Sequence, residues 1–488
     1  MSAGPHPWGD RARGMLLGAA VGDALGWPDE RRDRTRSVRP PQETGTSFPA
    51  WERVAGNRFR PFTEEVAPGE YSDDTQMILA VARARLAAGA AWPGWLQRVE
   101  WPLFPAYERG AGASVKRACR AWEAHGAPWG RRADDAAKYF AAGANGAAMR
   151  IAPHVIAHHA GPFEALAQDV VCDAATTHGH PRALVGALVH AYALWAAMRR
   201  PTPPSYGWLP EAVAEGIDAW RAPVWRSLDA DWRTAAAAAF PSGYARAWDE
   251  TVREVADLLE AARDEPGARD EPGAGDEPGA GDSGDSGALR EPSRFLEAHG
   301  LTRRKTSGSG TLCAVAAVLL AAAHAHSPAD GLAVPAHLPG ADTDTLASMT
   351  GSLLGAGLGQ GWLGGYGQEV QDAQLLAAQA EALLRAPHDG HDGHGHDHDG
   401  HDGHDGHDGH DGEVPPRERA GEELKRFRAA LDGAAPGDGL SLPGGRTARV
   451  LAADEAVAGK WRARRHRLVT ADGQTLVLLH GVHAAPKP

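Results

Sequence analysis

Up to residue 385 the apolar positions fall in Ala- and Leu-rich runs of helical length separated by Gly and Pro breaks, as in 77–88, 181–198, 248–262 and 311–325. Period-two runs rich in Val, Ile and Thr are almost absent there, which predicts a large all-α domain over residues 1–386. The pattern changes near the end of the chain. Residues 416–431 read as a short charged helix, and 467–470 and 475–480, joined by the turn 471–474, read as a β-hairpin. Residues 414–488 are therefore expected to form a small C-terminal α+β appendage.

Composition changes this picture in two places. Gly and Pro are abundant, 60 and 35 of 488 residues, and much of the excess lies in two tracts. Residues 264–287 repeat DEPGA-like units, and 388–412 are built of HDG triplets holding nine of the 24 His. Neither tract can bury enough apolar surface to offset the entropy of ordering it, so 264–287 is expected to be a disordered acidic insertion and 387–413 a disordered linker. The tracts carry −7 and −8 with His neutral; set aside, they turn the formal −13 of the chain into +2. The acidity of the whole thus indicates no nucleic-acid or membrane partner for the core.

Three distant cysteines, Cys119, Cys172 and Cys313, make no CxxC pair or disulfide framework. The first 30 residues lack a signal pattern, and the longest apolar stretch, 312–323, is too short to cross a bilayer. A cytoplasmic monomer is expected.

Three stretches hold acids that packing does not call for. In GMLLGAAVGDALGWPDE, glycines at 14, 18, 22 and 26 share one helical face and let another backbone come close, which explains the glycines but not Asp23 and Glu30. In YSDDTQ, Ser72 stands as an N-cap, and one of Asp73 and Asp74 would suffice for the helix dipole. In GADTDT, Asp342, Asp344 and Thr345 repeat that chemistry at another helix start. Carboxylates and hydroxyls without Cys or paired His suit Mg²⁺ or Mn²⁺ and not zinc, and five acids in one pocket would repel each other unless two ions neutralised them. The turn Gly143-Ala144-Asn145-Gly146 can offer backbone N–H groups to phosphate, as can the loop at 108–114, and His178 follows in TTHGHPR.

Taken in order, GMLLGAAVGDALGWPDE, YSDDTQMILA, GANGAAMR, TTHGHPRA and GADTDTLASMTGSLLGAGLG resemble the motif series of the ADP-ribosylglycohydrolase family, which includes the dinitrogenase reductase-activating glycohydrolases. The resemblance spans roughly residues 11–370. It implies an all-α orthogonal helical bundle with a binuclear Mg²⁺ or Mn²⁺ centre held by Ser72, Asp73, Asp74, Asp342, Asp344 and Thr345. Glu30, Asp74 and Asp344 would serve as the catalytic carboxylates, and Gly143, Asn145, Gly146 and His178 would bind the substrate. Where the family usually has Thr, this chain has Ser72, which keeps the oxygen. The implied reaction is hydrolysis of the bond between ADP-ribose and an acceptor, on a protein or a small molecule, such as ADP-ribosyl-arginine.

Two other readings compete. One is a non-catalytic ADP-ribose-binding relative, which would be marked by lost metal positions; here every position keeps an oxygen-bearing side chain. The other makes the HDG tract a metal buffer, against its reading as a solvated linker. The basic cluster Lys460, Arg462, Arg464, Arg465 and Arg467 beside Trp461 could touch an acidic partner, and more simply charges a sheet edge.

Overall fold

The computed structural model describes residues 6–30, 35–39, 48–57, 59–130, 132–200, 202–264, 292–386, 414–458 and 461–484. The HDG tract, Lys460 and all of the acidic insertion but Asp264 lie outside the described residues.

The body is mostly helical, as expected. Its main helices are α1 (Gly9–Glu30), α2 (Asp73–Ala88), α3 (Pro181–Arg199), α4 (Gly310–Ala323) and α5 (Thr343–Leu358). Every residue of α4 is buried, which is why that segment is apolar all round and not amphipathic. The tightest packing joins α1 to α5. A Cβ built on Gly14, Gly18, Gly22 or Gly26 would lie 2.2 to 2.4 Å from backbone atoms of Gly359, Gly351, Ala347 and Thr343 respectively. One number rises by fours as the other falls, so the helices run antiparallel, backbone on backbone, over the whole glycine face.

A feature the hydrophobic pattern did not announce lies between α1 and α2. Strands β1 (Thr35–Arg39), β2 (Ala50–Asn57) and β3 (Arg60–Val66) form an antiparallel sheet in the order β1-β2-β3. Their sequences, TRSVR, AWERVAGN and RPFTEEV, are broken by charges, Gly and Pro, so they carry almost no period-two signal. Tertiary partners supply what propensity lacks. Trp51 and Val66, paired across β2 and β3, cluster with Trp27 of α1, and Ala55 and Phe62 cluster with residues of the C-terminal sheet.

After the HDG tract come helix α6 (Arg417–Leu431) and strands β4 (Gly439–Ser441), β5 (Thr447–Ala458), β6 (Trp461–Thr470) and β7 (Thr475–Ala484), an antiparallel meander in sequence order. The hairpin read from the sequence is β6–β7. Leu424 and Phe427 of α6, and Leu468, Leu476 and Leu478 of the sheet, share one hydrophobic core with the helical body. Polar contacts fasten the same junction: buried Arg83 pairs with Glu100 at 2.7 Å and donates to Gln474 Oε1 at 2.7 Å. The arginines of the basic cluster are paired, Arg462 with Glu455, Arg464 with Asp432, Arg465 with Asp454 and Arg467 with Glu70. Among the described residues no helix is long and apolar enough to cross a membrane.

Candidate metal centre

The glycine face does more than pack. Because α1 and α5 run antiparallel in contact, the C-terminal end of α1 meets the start of α5, and the Thr343 hydroxyl locks them by donating to the Gly26 carbonyl at 2.8 Å. Glu30 is thereby brought to Asp342 and Asp344, and one carboxylate oxygen from each lies within 4.8 Å of the other two. Among the described residues this is the group of three or more His, Cys, Asp or Glu able to share an ion.

The start of α2 closes on the same place. Ser72 caps the helix, its hydroxyl accepting from the Asp74 N–H at 3.3 Å. Asp23, fully enclosed on α1, fixes that turn: Oδ1 accepts from the Ser72 N–H at 3.0 Å, and Oδ2 accepts from the Thr75 N–H at 3.0 Å and its hydroxyl at 2.7 Å. Both oxygens of Asp23 are thus engaged, and its role is to hold α2 against α1. Asp73 lies under the loop that follows Tyr107. Glu108 accepts from the N–H groups of Gly110 and Ala111, and at Gly110, whose φ is +127°, a Cβ would stand 2.7 Å from Asp73 Oδ1. Asp74 takes a hydrogen bond from the Thr345 side chain, while its Oδ2 is buried with no hydrogen-bond partner.

Electrostatics unify the set. Asp73, Asp74 and Asp344 are all held well above the usual carboxylate range. Burial is the first cause in each, followed by neighbouring acids: Glu108 and Glu30 on Asp73, Asp23, Asp73 and Asp342 on Asp74, Glu30, Asp74 and Asp342 on Asp344. Asp73 and Asp74 are not members of the 4.8 Å cluster, but its charges reach them. A buried carboxylate oxygen of Asp74 without a hydrogen-bond partner, amid several neighbouring acids, is the donor chemistry that a hard divalent cation satisfies, so the residues fit Mg²⁺ or Mn²⁺. The hydroxyls of Ser72 and Thr345 serve here in the cap and in the contact with Asp74; Thr345 Oγ1 also lies 3.8 Å from Met149 Sδ.

The expected substrate residues separate into two groups. Asn145 touches the cluster, its amide donating to Asp342 Oδ2 at 2.9 Å and its N–H to the Gly308 carbonyl at 2.9 Å. Gly143 and Gly146 brace that turn through their carbonyls, which accept from Gly310 N–H at 3.0 Å and Arg150 Nη1 at 2.8 Å. His178 lies behind Gly146, where a Cβ would meet its Cε1 at 3.2 Å. The imidazole is 1% exposed, its Nδ1 2.8 Å from the Thr177 hydroxyl, and burial followed by the charge of Arg150 pushes its pKa down to about 3. It is a neutral, enclosed ring.

A cavity of about 310 Å³ opens beside Glu30, lined by Trp27, Trp51 and Phe62 together with Glu108 and Lys116. Trp27 meets Trp51 edge-on at 5.1 Å and has the guanidinium groups of Arg53 and Arg109 over its ring at 5.2 and 5.0 Å. Sequence reasoning passed over Trp27 and left Glu108 in a loop of low specificity. Trp27 had a signal, standing three residues before Glu30 on the same helix; the strands around the cavity had none.

A family model described as ADP-ribosylglycohydrolase matches residues 5–392. Comparison with curated proteins yields no match. Among solved structures, one described as an "ADP-ribosylglycohydrolase-related protein complex" is similar with a TM-score of 0.45 and 22% identity, covering 78% of this chain and 98% of that one.

Proposed function

The chain belongs to the ADP-ribosylglycohydrolase family, and from that premise we propose that it hydrolyses the bond between the anomeric carbon of ADP-ribose and an acceptor atom, with two Mg²⁺ or Mn²⁺ ions as cofactors. The observation that carries this reading is the meeting of Glu30, Asp342 and Asp344 within 4.8 Å beside the unpartnered buried oxygen of Asp74.

Glu30, Asp73, Asp74, Asp342 and Asp344 would hold the cations, with the hydroxyls of Ser72 and Thr345 completing the oxygen set. Bound there, divalent ions supply attachment for the ribose hydroxyls and lower the pKa of a water. The chain's own residues do the rest. Asn145 fixes the orientation of Asp342, and Asp23 keeps α2 at its station. Glu30, which lines the cavity as well as the cluster, is placed to accept the proton of the attacking water, while Asp74 and Asp344 stabilise positive charge developing on the sugar. The turn at Asn145 would receive the ADP-ribose on the Asp342 side, and the acceptor would leave on the Glu30 side.

Release of free ADP-ribose from ADP-ribosyl-arginine, measured with Mg²⁺ and again in EDTA, tests the proposal. We expect turnover only with the cation; equal rates in both would defeat it.

A further inference from the structure

Family resemblance ends at residue 392, yet the cavity at Glu30 is closed by residues far beyond that point. Val477 and Leu479 of β7 form part of its wall. They stand two residues apart on one strand and so share a face. Leu479 also packs on a small cluster of Ala55 and Phe62 from the first sheet and Ala456 and Ala463 from the second, so the two sheets meet at this wall.

The strand is fastened directly to a metal-site motif. The Thr475 N–H, at the start of β7, donates to the Asp372 carboxylate at 2.9 and 3.1 Å, and the same carboxylate accepts from the Tyr71 hydroxyl at 2.5 Å. Tyr71 immediately precedes Ser72. A second tie runs from Arg467, opposite Val477 in the β6–β7 register, to Glu70. Val477 and Leu479 are therefore held in register with the acids by two short polar links.

Resting on the hydrolase reading above, we propose that β7 is a specificity wall: Val477 and Leu479 bound the space for the acceptor and so select which ADP-ribose conjugates are cleaved. The cavity's chemistry decides between the two ends of the substrate. Its acids, Glu30 and Glu108, would repel a diphosphate, and its cations are already committed, Lys116 to Glu108 at 2.9 Å and Arg53 to Glu64. A lining that sets Trp27, Trp51, Phe62, Val477 and Leu479 beside the acids Glu30 and Glu108 suits a neutral or cationic leaving group such as a guanidine.

The test uses the full chain with saturating Mg²⁺ and two substrates, an ADP-ribosylated protein and free ADP-ribosyl-arginine, together with calorimetric binding of ADP-ribose. Leu479→Trp narrows the cavity and should lower kcat/KM on the protein conjugate about tenfold relative to the small one. ADP-ribose affinity should change less than about twofold. Leu479→Ala should shift the ratio in the opposite direction, and it carries the test if the Trp variant fails to fold. Equal shifts on both substrates, no shift in the folded variants, or a parallel loss of ADP-ribose affinity would overturn the wall while leaving the hydrolase reading standing. A wild-type protein inactive on both conjugates would overturn the hydrolase reading first and the wall with it.

Discussion

Asp74 and Asp173 are both enclosed carboxylates in helical surroundings, 2% and 0% exposed, yet their pKa values move in opposite directions. Burial pushes each upward. At Asp173 the guanidinium of Arg150, 3.0 Å away, and the ring of His154, 3.2 Å away, overcome that push and hold the carboxyl below its usual range. The same holds for Asp169 beside His158 and Arg85. At Asp74 the neighbours are Asp23, Asp73 and Asp342, and the carboxyl sits well above its usual range. Cations dominate the surroundings of the structural carboxylates, whereas acids dominate those of Asp74 and Asp344 at two helix starts. That contrast separates a bracing ion pair from a site that requires a ligand, and neither burial nor residue type alone would draw it.

The largest effect should come from neutralising one acid of each kind. Asp74→Asn is expected to lower kcat/KM about a thousandfold, roughly 4 kcal/mol, with the fold intact. Asp173→Asn should instead cost about 3–5 kcal/mol of stability, because it strands the buried Arg150 charge. Steady-state kinetics and urea denaturation of both variants check this, and a stable Asp173→Asn protein would break the contrast.

Cation binding comes next. Mg²⁺ or Mn²⁺ at a hundred times its Kd should stabilise the protein by about 2.7 kcal/mol per site, reversibly with EDTA. Thermal melts of Asp344→Asn should lose most of that gain.

Gly22→Ala probes how the site is assembled. Its Cβ would fall 2.2 Å from the Ala347 carbonyl oxygen, in a contact between two backbones. Even after the gain of about 1 kcal/mol in helix propensity, we expect a net loss of roughly 2 kcal/mol, and weaker Mn²⁺ binding as Glu30 shifts from Asp342 and Asp344.

The contrast extends to pH. His190 is buried without a partner at Nδ1, and burial pushes its pKa down to about 3. Between the ordinary imidazole value near 6.5 and that folded value, the unfolded chain binds a proton that the fold does not, so stability falls as pH is lowered through this window. The slope is at most about 1.4 kcal/mol per pH unit, and His190→Leu should make the measured profile shallower by that single proton. Asp173 acts in a lower window: its depressed pKa gives stability that is complete above the ordinary value near 4 and is lost as pH falls toward the folded value.

Ser72 should give the smallest effect. Ser72→Thr keeps the cap and the oxygen, so activity should stay within a few-fold. Ser72→Ala should cost about 1 kcal/mol in the melt through the lost cap.

Much of this was written locally. The glycine period in α1, the acids after Tyr71 and after Ala341, the apolar run of α4 and the β6–β7 hairpin all announce themselves within a dozen residues, because helical and strand periodicities are properties of neighbours in sequence. What Asp23 does was not legible, although its presence as a surplus acid was: only the folded chain shows both its oxygens taken by α2. Glu108 and Trp27 gained meaning when a loop and a helix end met beside Asp73 and Glu30.

The amino-acid order by itself determined a helical body, which residues could offer hard oxygen ligands, and the terminal β6–β7 hairpin, though not the strands β4 and β5 that extend it into a sheet. Tertiary structure alone decided that Glu30 joins Asp342 and Asp344, that AWERVAGN and RPFTEEV are strands, and that β7 walls the cavity. The physical reason is range. Propensity and periodicity act over a few residues, whereas Trp51 is buried by Trp27 and Val66, which come from other elements, and Val477 lines the cavity with Trp27 and Glu30 from the far end of the chain.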